Sequence, residues 1–217
     1  MTYNPRKIRL LMALRGAGVT DTKVLAAIER IPRELFVPEA FQDRAWEDTA
    51  LPIDLGQTIS QPLVVGLMTQ ALELQPRHLV LEIGTGSGYQ AAVLSRLCRR
   101  VFTMERLKPL LREAEARFEA LDIGNITTRL GDGTRGWPEQ APFARILVTA
   151  AGGPEPPKDL TDQLAVGGVM VIPLGSDHRG QRVVRFRRSE AGLIREDLWP
   201  VRFVPLLSDP PQPVRSA

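Results

Sequence analysis

Leu81-Glu82-Ile83-Gly84-Thr85-Gly86-Ser87-Gly88 joins a short apolar run to a helical stretch, and its reading decides the fold. Glycines at 84, 86 and 88 let the backbone turn sharply and let a ligand approach the main chain with no Cβ in the way. The run that feeds the loop, residues 78–83, fits a buried parallel strand, and residues 88–96 read as a helix. Glu105 ends the next strand, residues 101–104, and follows Gly84 by 21 positions (105 − 84). In a doubly wound sheet an acid there meets the two hydroxyls of a bound ribose. Loop and acid together place a nucleoside at the carboxyl ends of the first two strands. Spacing bears on which nucleoside. In the dinucleotide fingerprint the third glycine follows the second by three positions, and the helix N-terminus is left to a pyrophosphate. Here it follows by two, and Glu82 stands before the loop. The plainer reading is a glycine-rich turn without a ligand; the strand-loop-helix context and Glu105 weigh against it.

Outward from the loop, helices at 109–121 and 159–164 alternate with strands at 126–129, 145–149 and 168–173. That alternation predicts an α/β fold, doubly wound around a mostly parallel sheet. Residues 182–188 and 194–201 read as a closing antiparallel hairpin around Ala191-Gly192. Ahead of the loop, Asn4-Pro5 starts a helix carrying Ile8, Leu11, Met12 and Arg15. Thr20 or Asp21 caps a second helix with Val24, Leu25, Ile28 and Ile31, which Pro32 closes. Residues 36–60 hold no period and read as a long ordered loop, a feature that is often functional. Residues 62–74 predict a helix with Leu63, Leu67, Ala71 and Leu74 on one face. The chain divides into an N-terminal helical and loop segment, 1–60, a nucleoside-binding domain, 61–207, and a loose Pro-rich tail, 208–217, all within one domain.

Composition narrows the function classes. With 217 residues, 43% of them hydrophobic, the chain suits one compact domain. A net charge of +3 is too slight to argue for a nucleic-acid groove. The arginines within 179–188 alternate with Val183, Val184 and Phe186, which reads as an exposed strand face before an anion-attracting patch. Cys98 is the only cysteine, read as a buried helix residue. His78 and His178 are the only histidines, so neither a metal site nor a Cys-His nucleophile pair is expected. No apolar run approaches the ~20 residues that span a membrane and no signal-peptide core is visible, so the expected home is the cytoplasm.

Gly-x-Gly-x-Gly behind an acid resembles motif I of the class I, Rossmann-like methyltransferases. Further segments resemble the protein-L-isoaspartate O-methyltransferase family, in that family's order: Pro32-Arg33-Glu34-Leu35-Phe36-Val37-Pro38, Gln57-Thr58-Ile59-Ser60-Gln61-Pro62, residues 80–92, Gly131-Asp132-Gly133, Val148-Thr149-Ala150-Ala151 and Phe203-Val204-Pro205-Leu206. The resemblance covers residues 20–207, and Thr-Ile-Ser-Gln-Pro is what separates this family from other methyltransferases. It implies S-adenosylmethionine as methyl donor, S-adenosylhomocysteine as product, and no metal. The implied cofactor residues are Glu82, Gly84, Thr85, Gly86, Ser87, Gly88, Glu105, Asp132 and Gly133. Glu82 would favour the cationic amino-acid end, and Asp132 would lie beside the adenine. Asp132-Gly133 is also an ordinary turn dipeptide. Ser60 matches the active-site serine; Thr58, Ile59 and Gln61 match its neighbours, and Val204 and Leu206 match a segment near the substrate backbone. The implied partners are proteins and peptides carrying L-isoaspartyl residues, with no nucleic acid or membrane. Two positions depart from the family: Ala144, where an Asp is usual, and Leu63, where a bulkier or polar residue is frequent.

The chemistry fits this inventory. A carboxylate acceptor is already ionised at neutral pH, so it needs no general base and the scarcity of histidine is no objection. Ser60 would hydrogen-bond the substrate and would not act as a nucleophile. Ser60-Gln61-Pro62 is equally a capping signal for the helix that follows. Two alternatives remain open: a class I methyltransferase acting on a small molecule or RNA, and a nucleoside-binding module without chemistry.

Overall fold

The computed structural model describes residues 4–176 and 180–208. His178 and tail residues 209–217 lie outside the described residues. The chain opens with helices α1 (Pro5–Gly16) and α2 (Thr22–Arg30) and a short 3₁₀ turn at Arg33–Phe36. Strands β1 (Leu51–Pro52) and β2 (Thr58–Ile59) pair antiparallel as a small ribbon ahead of helix α3 (Pro62–Ala71). The main domain runs β3 (Leu79–Ile83), α4 (Tyr89–Ser95), β4 (Arg100–Glu105), α5 (Lys108–Ala120), β5 (Ile126–Leu130), β6 (Phe143–Val148), α6 (Lys158–Asp162), β7 (Leu164–Ser176), β8 (Gly180–Ser189) and β9 (Gly192–Val201).

The seven-stranded sheet has the order β5-β4-β3-β6-β7-β8-β9. From β5 to β7 all pairings are parallel, and β8 and β9 close the sheet as the expected antiparallel hairpin. The inner strands are apolar on both faces. Val80, Val101, Leu147, Val169 and Val171 enter one core with the helices α1 to α5. Their neighbours Leu81, Phe102, Ile146, Met170 and Ile172 enter a second core on the other face with Leu160 of α6. Alternation in β-strands sends successive side chains to opposite faces, so covering both faces makes the strands read as continuous apolar runs.

Helix starts follow the sequence more closely than helix faces do. Asn4 accepts from the backbone N–H of Arg6 and Lys7, and Asp21 rather than Thr20 caps α2 through Lys23. The face expected for α1 is corrected. Leu10 and Leu14 are buried, whereas Ile8 is 41% and Met12 is 70% exposed. Both pairs have i,i+4 spacing, so the sequence offered two stripes and contact with α2 and α3 selected one. In α3 the buried positions are Pro62, Val65, Gly66, Met68, Thr69 and Ala71; of the expected face Ala71 is buried, whereas Leu63, Leu67 and Leu74 are half-buried. Gly66 is part of the reason: a Cβ there would lie 2.8 Å from Val19. Residues 36–60 are not a featureless loop either. They hold the β1–β2 ribbon and 3₁₀ turns at Glu39–Arg44 and Asp54–Gly56, too short to show a period.

Ion pairs brace the far edge. Buried Arg145 on β6 donates to the carbonyls of Leu72 and Glu73 at the end of α3. Glu73 in turn pairs with Arg185 and Arg187 of β8, and Arg185 also holds Glu196 of β9. These arginines of the alternating strand are thus matched by carboxylates.

The third glycine of the loop serves this packing. Gly88 sits at φ +90, and a Cβ on it would lie 2.8 Å from the Phe118 ring and 3.1 Å from Ala114 of α5. Gly88→Ala combines a left-handed alanine with overpacking against a ring, together about 2–4 kcal/mol of lost stability. Chemical denaturation should show that loss; a variant as stable as the parent would remove Gly88 from the α4–α5 contact.

Candidate active site

The sheet changes direction between β3 and β6. From β3 the chain builds outward through β4 and β5, then crosses back to lay β6 on the other side. The carboxyl ends of β3 and β6 diverge at such a switch point and leave a crevice for a ligand. A cavity of about 240 Å³ lies there, lined by Ile83, Gly84, Thr149 and Ala150 from these two strand ends. The Thr149 hydroxyl shares its one proton between the carbonyls of Ile83 and Gly84, at 2.9 and 2.7 Å, and ties the two ends together. A Cβ on Gly84 would lie 2.5 Å from that hydroxyl oxygen, so the first glycine makes room for the tie.

Glu105 sets the shape of the loop. One of its oxygens accepts from the Gly86 N–H at 2.9 Å, and the other accepts from Arg106 and Leu107, each at 2.9 Å. A carboxylate offers about four acceptor positions. Three hold backbone, leaving room for one ligand hydroxyl. The residue is 6% exposed and lines the cavity between apolar Met104 and Leu107.

Glu82 lies elsewhere than expected. It is fully buried and is not on the cavity wall. Thr103 donates to one of its oxygens at 2.6 Å, the Thr85 hydroxyl lies 2.7 Å from that of Thr103, and the other Glu82 oxygen has no hydrogen-bond partner. Burial pushes the carboxyl up to about 8, against the bond from Thr103. Near neutral pH the group holds its proton, so it offers no carboxylate to a cationic ligand. Its chain of hydroxyls ends on Thr85, which does line the cavity.

Another part of the wall comes from the ribbon. Gly56, Gln57, Thr58, Ile59 and Ser60 line the cavity opposite the glycine loop. The capping role open to Ser60 is not seen. Gln61 occupies the N-cap of α3, and its side chain makes no capping bond. Asp48 satisfies the helix end instead, accepting from the Leu63 N–H at 2.8 Å, and its other oxygen accepts from the Gln61 amide at 3.0 Å. Among the described residues the Ser60 hydroxyl makes no hydrogen bond, so it is available to a ligand. Arg33 donates to the Ser60 carbonyl at 2.9 Å from beneath the ribbon.

The remaining expected residues divide. Gly133 lines the cavity, and a Cβ on it would lie 2.3 Å from Ile83, so packing demands this glycine. Asp132 is off the wall; its carboxylate accepts from the Thr134 N–H and hydroxyl and holds the turn. Val204 and Leu206 line the wall, pinned by Ala151, whose N–H donates to Val204 and whose carbonyl accepts from Leu206. The structure thus brings together Thr58, Ile59, Ser60, Gly84, Thr85, Gly86, Ser87, Glu105, Gly133, Val204 and Leu206. Gln61, Glu82, Gly88 and Asp132 stand behind them. Tyr89, Gln90, Thr149 and Leu207 also line the cavity, and with Asp48 and Arg33 they escaped the sequence reading. Arg33 and Thr149 fall within segments that carried the family resemblance; Asp48 falls outside them. Among the described residues no group of three or more His, Cys, Asp or Glu could hold a metal, and no helix is long and apolar enough to cross a membrane.

This fold and crevice are those of a class I methyltransferase. Residues 5–210 match the family model of the protein-L-isoaspartate(D-aspartate) O-methyltransferases. The protein-L-isoaspartate O-methyltransferase of Rhodospirillum centenum is 74% identical over 209 residues, covering 96% of this chain and 95% of its own. That of Rhodospirillum rubrum is 64% identical over 213 residues, covering 97% of each. A solved structure of a protein-L-isoaspartate O-methyltransferase superimposes with a TM-score of 0.85 at 30% identity, over 94% of this chain and 67% of that one. A Plasmodium falciparum structure, described as a protein-L-isoaspartate O-methyltransferase in complex with S-adenosyl-L-homocysteine, gives 0.79 at 25% identity, over 94% and 99%. The chain belongs to the protein-L-isoaspartate O-methyltransferase family.

Glu82 gives a stability test. Its folded pKa of about 8 stands above the ordinary 4.5, so the native state binds the extra proton between those values. The stabilisation is complete below about pH 4.5 and is lost as pH rises through about 8. Glu82→Gln removes this titration. The variant's stability relative to the parent should rise by on the order of 4 kcal/mol between about pH 5 and pH 9 in urea melts. A difference independent of pH would show that Glu82 titrates normally.

Proposed function

We propose that the chain transfers a methyl group from S-adenosylmethionine to the free carboxylate of L-isoaspartyl residues in damaged proteins and peptides, opening repair through a succinimide. The observation that carries this reading is a single cavity walled on one side by the glycine loop and on the other by Thr58, Ile59 and Ser60. The residues fit the donor: Glu105 keeps an acceptor position for a ribose hydroxyl, Met104 and Leu107 form apolar walls for a base, and Gly86 leaves the loop open, with only Ile53 within 4 Å of a Cβ built there. Bound S-adenosylmethionine supplies an electrophilic methyl on a sulfonium and leaves as S-adenosylhomocysteine.

The protein's own residues position and desolvate. Ser60 donates its free hydroxyl to the acceptor carboxylate and orients one oxygen. Thr58 and Ile59 wall the junction, and Val204 and Leu206 hold the peptide backbone. Gln61 acts at one remove, through Asp48. Residues 1–60 contribute Thr58, Ile59 and Ser60 to the acceptor side, and 61–207 supply the donor side together with Val204 and Leu206. No general base is needed for an acceptor ionised at neutral pH.

Selectivity follows from connectivity. In L-isoaspartate the carboxylate sits directly on Cα and the chain runs through the side-chain carbonyl. Normal aspartate carries its carboxylate one carbon further from the main chain. Misplacing a reacting atom by about 1 Å costs about 10²-fold in rate. Matched peptides differing only at this linkage should therefore separate: the isoaspartyl peptide is methylated and slowly converts to aspartyl, and its twin is not. Equal methylation of both, or of an RNA or small molecule instead, would exclude this substrate.

Ser60→Ala tests the acceptor side. The hydroxyl caps nothing, so stability should stay within about 0.5 kcal/mol of the parent. Turnover should fall about 10²-fold, as for loss of one oriented donor, with affinity for S-adenosylhomocysteine kept. A fully active variant would remove Ser60 from the reaction.

A further inference from the structure

Arg33 is among the largest fully buried side chains, at 0% exposure, and among the described residues no carboxylate lies within salt-bridge distance of it. Its Nη2 donates to the Ser60 carbonyl at 2.9 Å. Its guanidinium lies 4.8 Å from the centre of the Tyr89 ring. Phe36, one 3₁₀ turn later, meets the same ring edge-on at 5.5 Å. Residues three apart eclipse in a 3₁₀ turn, so Arg33 and Phe36 grip Tyr89 together. Tyr89 is the first residue of α4, immediately after the glycine loop, and lines the cavity. Arg33 therefore touches both walls of the crevice, the Ser60 ribbon and the start of the glycine-loop helix, while standing outside the cavity itself.

Stability alone does not account for such a residue. Arg33 Nε and Nη1 and the Tyr89 hydroxyl make no hydrogen bond of normal geometry among the described residues, although the guanidinium and the Tyr89 hydroxyl lie close enough to act on one another. Burial pushes the guanidinium below its ordinary range, with Tyr89 and Asp48 acting the other way. An apolar side chain of similar volume would fill the space without that desolvation penalty. What a hydrophobe would lack is the directional bond to the Ser60 carbonyl.

We propose that Arg33 is a positioning residue for methyl transfer: it fixes the Ser60 backbone against Tyr89 and so sets the separation between the acceptor carboxylate and the methyl donor. Its pull on Ser60 is through one carbonyl and its hold on the donor side through one ring. It acts through Ser60, and the inference rests on the role given to Ser60 above.

A double-mutant cycle tests both. The parent, Ser60→Ala, Arg33→Met and the double variant are compared for kcat and KM on an isoaspartyl peptide, and for S-adenosylhomocysteine affinity by calorimetry. Arg33→Met should lower kcat about 10²-fold, the scale for misplaced reacting groups. KM and product affinity should change less than about threefold. In the Ser60→Ala background the same substitution should cost less than about threefold, because residues acting as a unit are not additive. Arg33→Lys keeps a charge and a donor for the Ser60 carbonyl but loses the planar face on Tyr89, so it should recover kcat only in part, to within about tenfold of the parent. Should Arg33→Met fail to fold, Arg33→Lys is carried through the same cycle and judged by the same non-additivity. Equal losses in both backgrounds, unchanged kcat in a folded variant, or a matching loss of cofactor affinity would overturn the proposal and leave Arg33 a packing residue. A fully active Ser60→Ala would overturn the role of Ser60 and this one with it. An impaired Ser60→Ala with multiplicative losses would overturn Arg33 alone.

Discussion

The Glu105 carboxylate holds the site together. It gathers the N–H groups of Gly86, Arg106 and Leu107 onto two oxygens, so the loop after β3 is folded by the acid that ends β4. Charge-assisted bonds of this kind are about twice as strong as neutral ones. Because β3 and β4 are in parallel register, Ile83 opposite Met104, the acid arrives level with the glycines. The side chain that folds the loop also lines the cavity.

The opposite wall depends on a different carboxylate. Asp48 caps α3 and holds the Gln61 amide, which releases the Ser60 hydroxyl from local work. The β1–β2 ribbon is only two residues per strand, and Arg33 anchors it from below. A short ribbon with few bonds of its own needs such outside support to hold a hydroxyl at a fixed place.

Two ionisable groups, Glu82 and Arg33, sit under the two walls, each fully buried and each with unpartnered polar atoms. Their burial acts on them alike by disfavouring the charged form. Glu82 responds by holding its proton, as its value near 8 requires. Arg33, with a far higher starting value, stays a cation and must be accommodated by a carbonyl and an aromatic face.

The sequence by itself determined the order of strands and helices apart from the β1–β2 ribbon, the glycine loop, the acid at 105 and the family of the chain. These are legible because strand alternation, glycine spacing and caps act between residues close in the chain. Only the tertiary structure decided which stripe of α1 and α3 is buried, since both helices carry apolar residues on more than one side and a partner must select. It also sorted the glycines: Gly86 has open space on the crevice side, whereas Gly84, Gly88 and Gly133 are kept free of a Cβ by Thr149, Phe118 and Ile83, residues remote from them in sequence. The cap of α3 passed from Ser60 to Asp48, 15 positions from the N–H it holds, and Glu82 moved from the cavity to the space behind it. In each case hydrogen bonding or packing from another element outweighed the local signal, and a pattern of neighbours along the chain carries no record of such contacts.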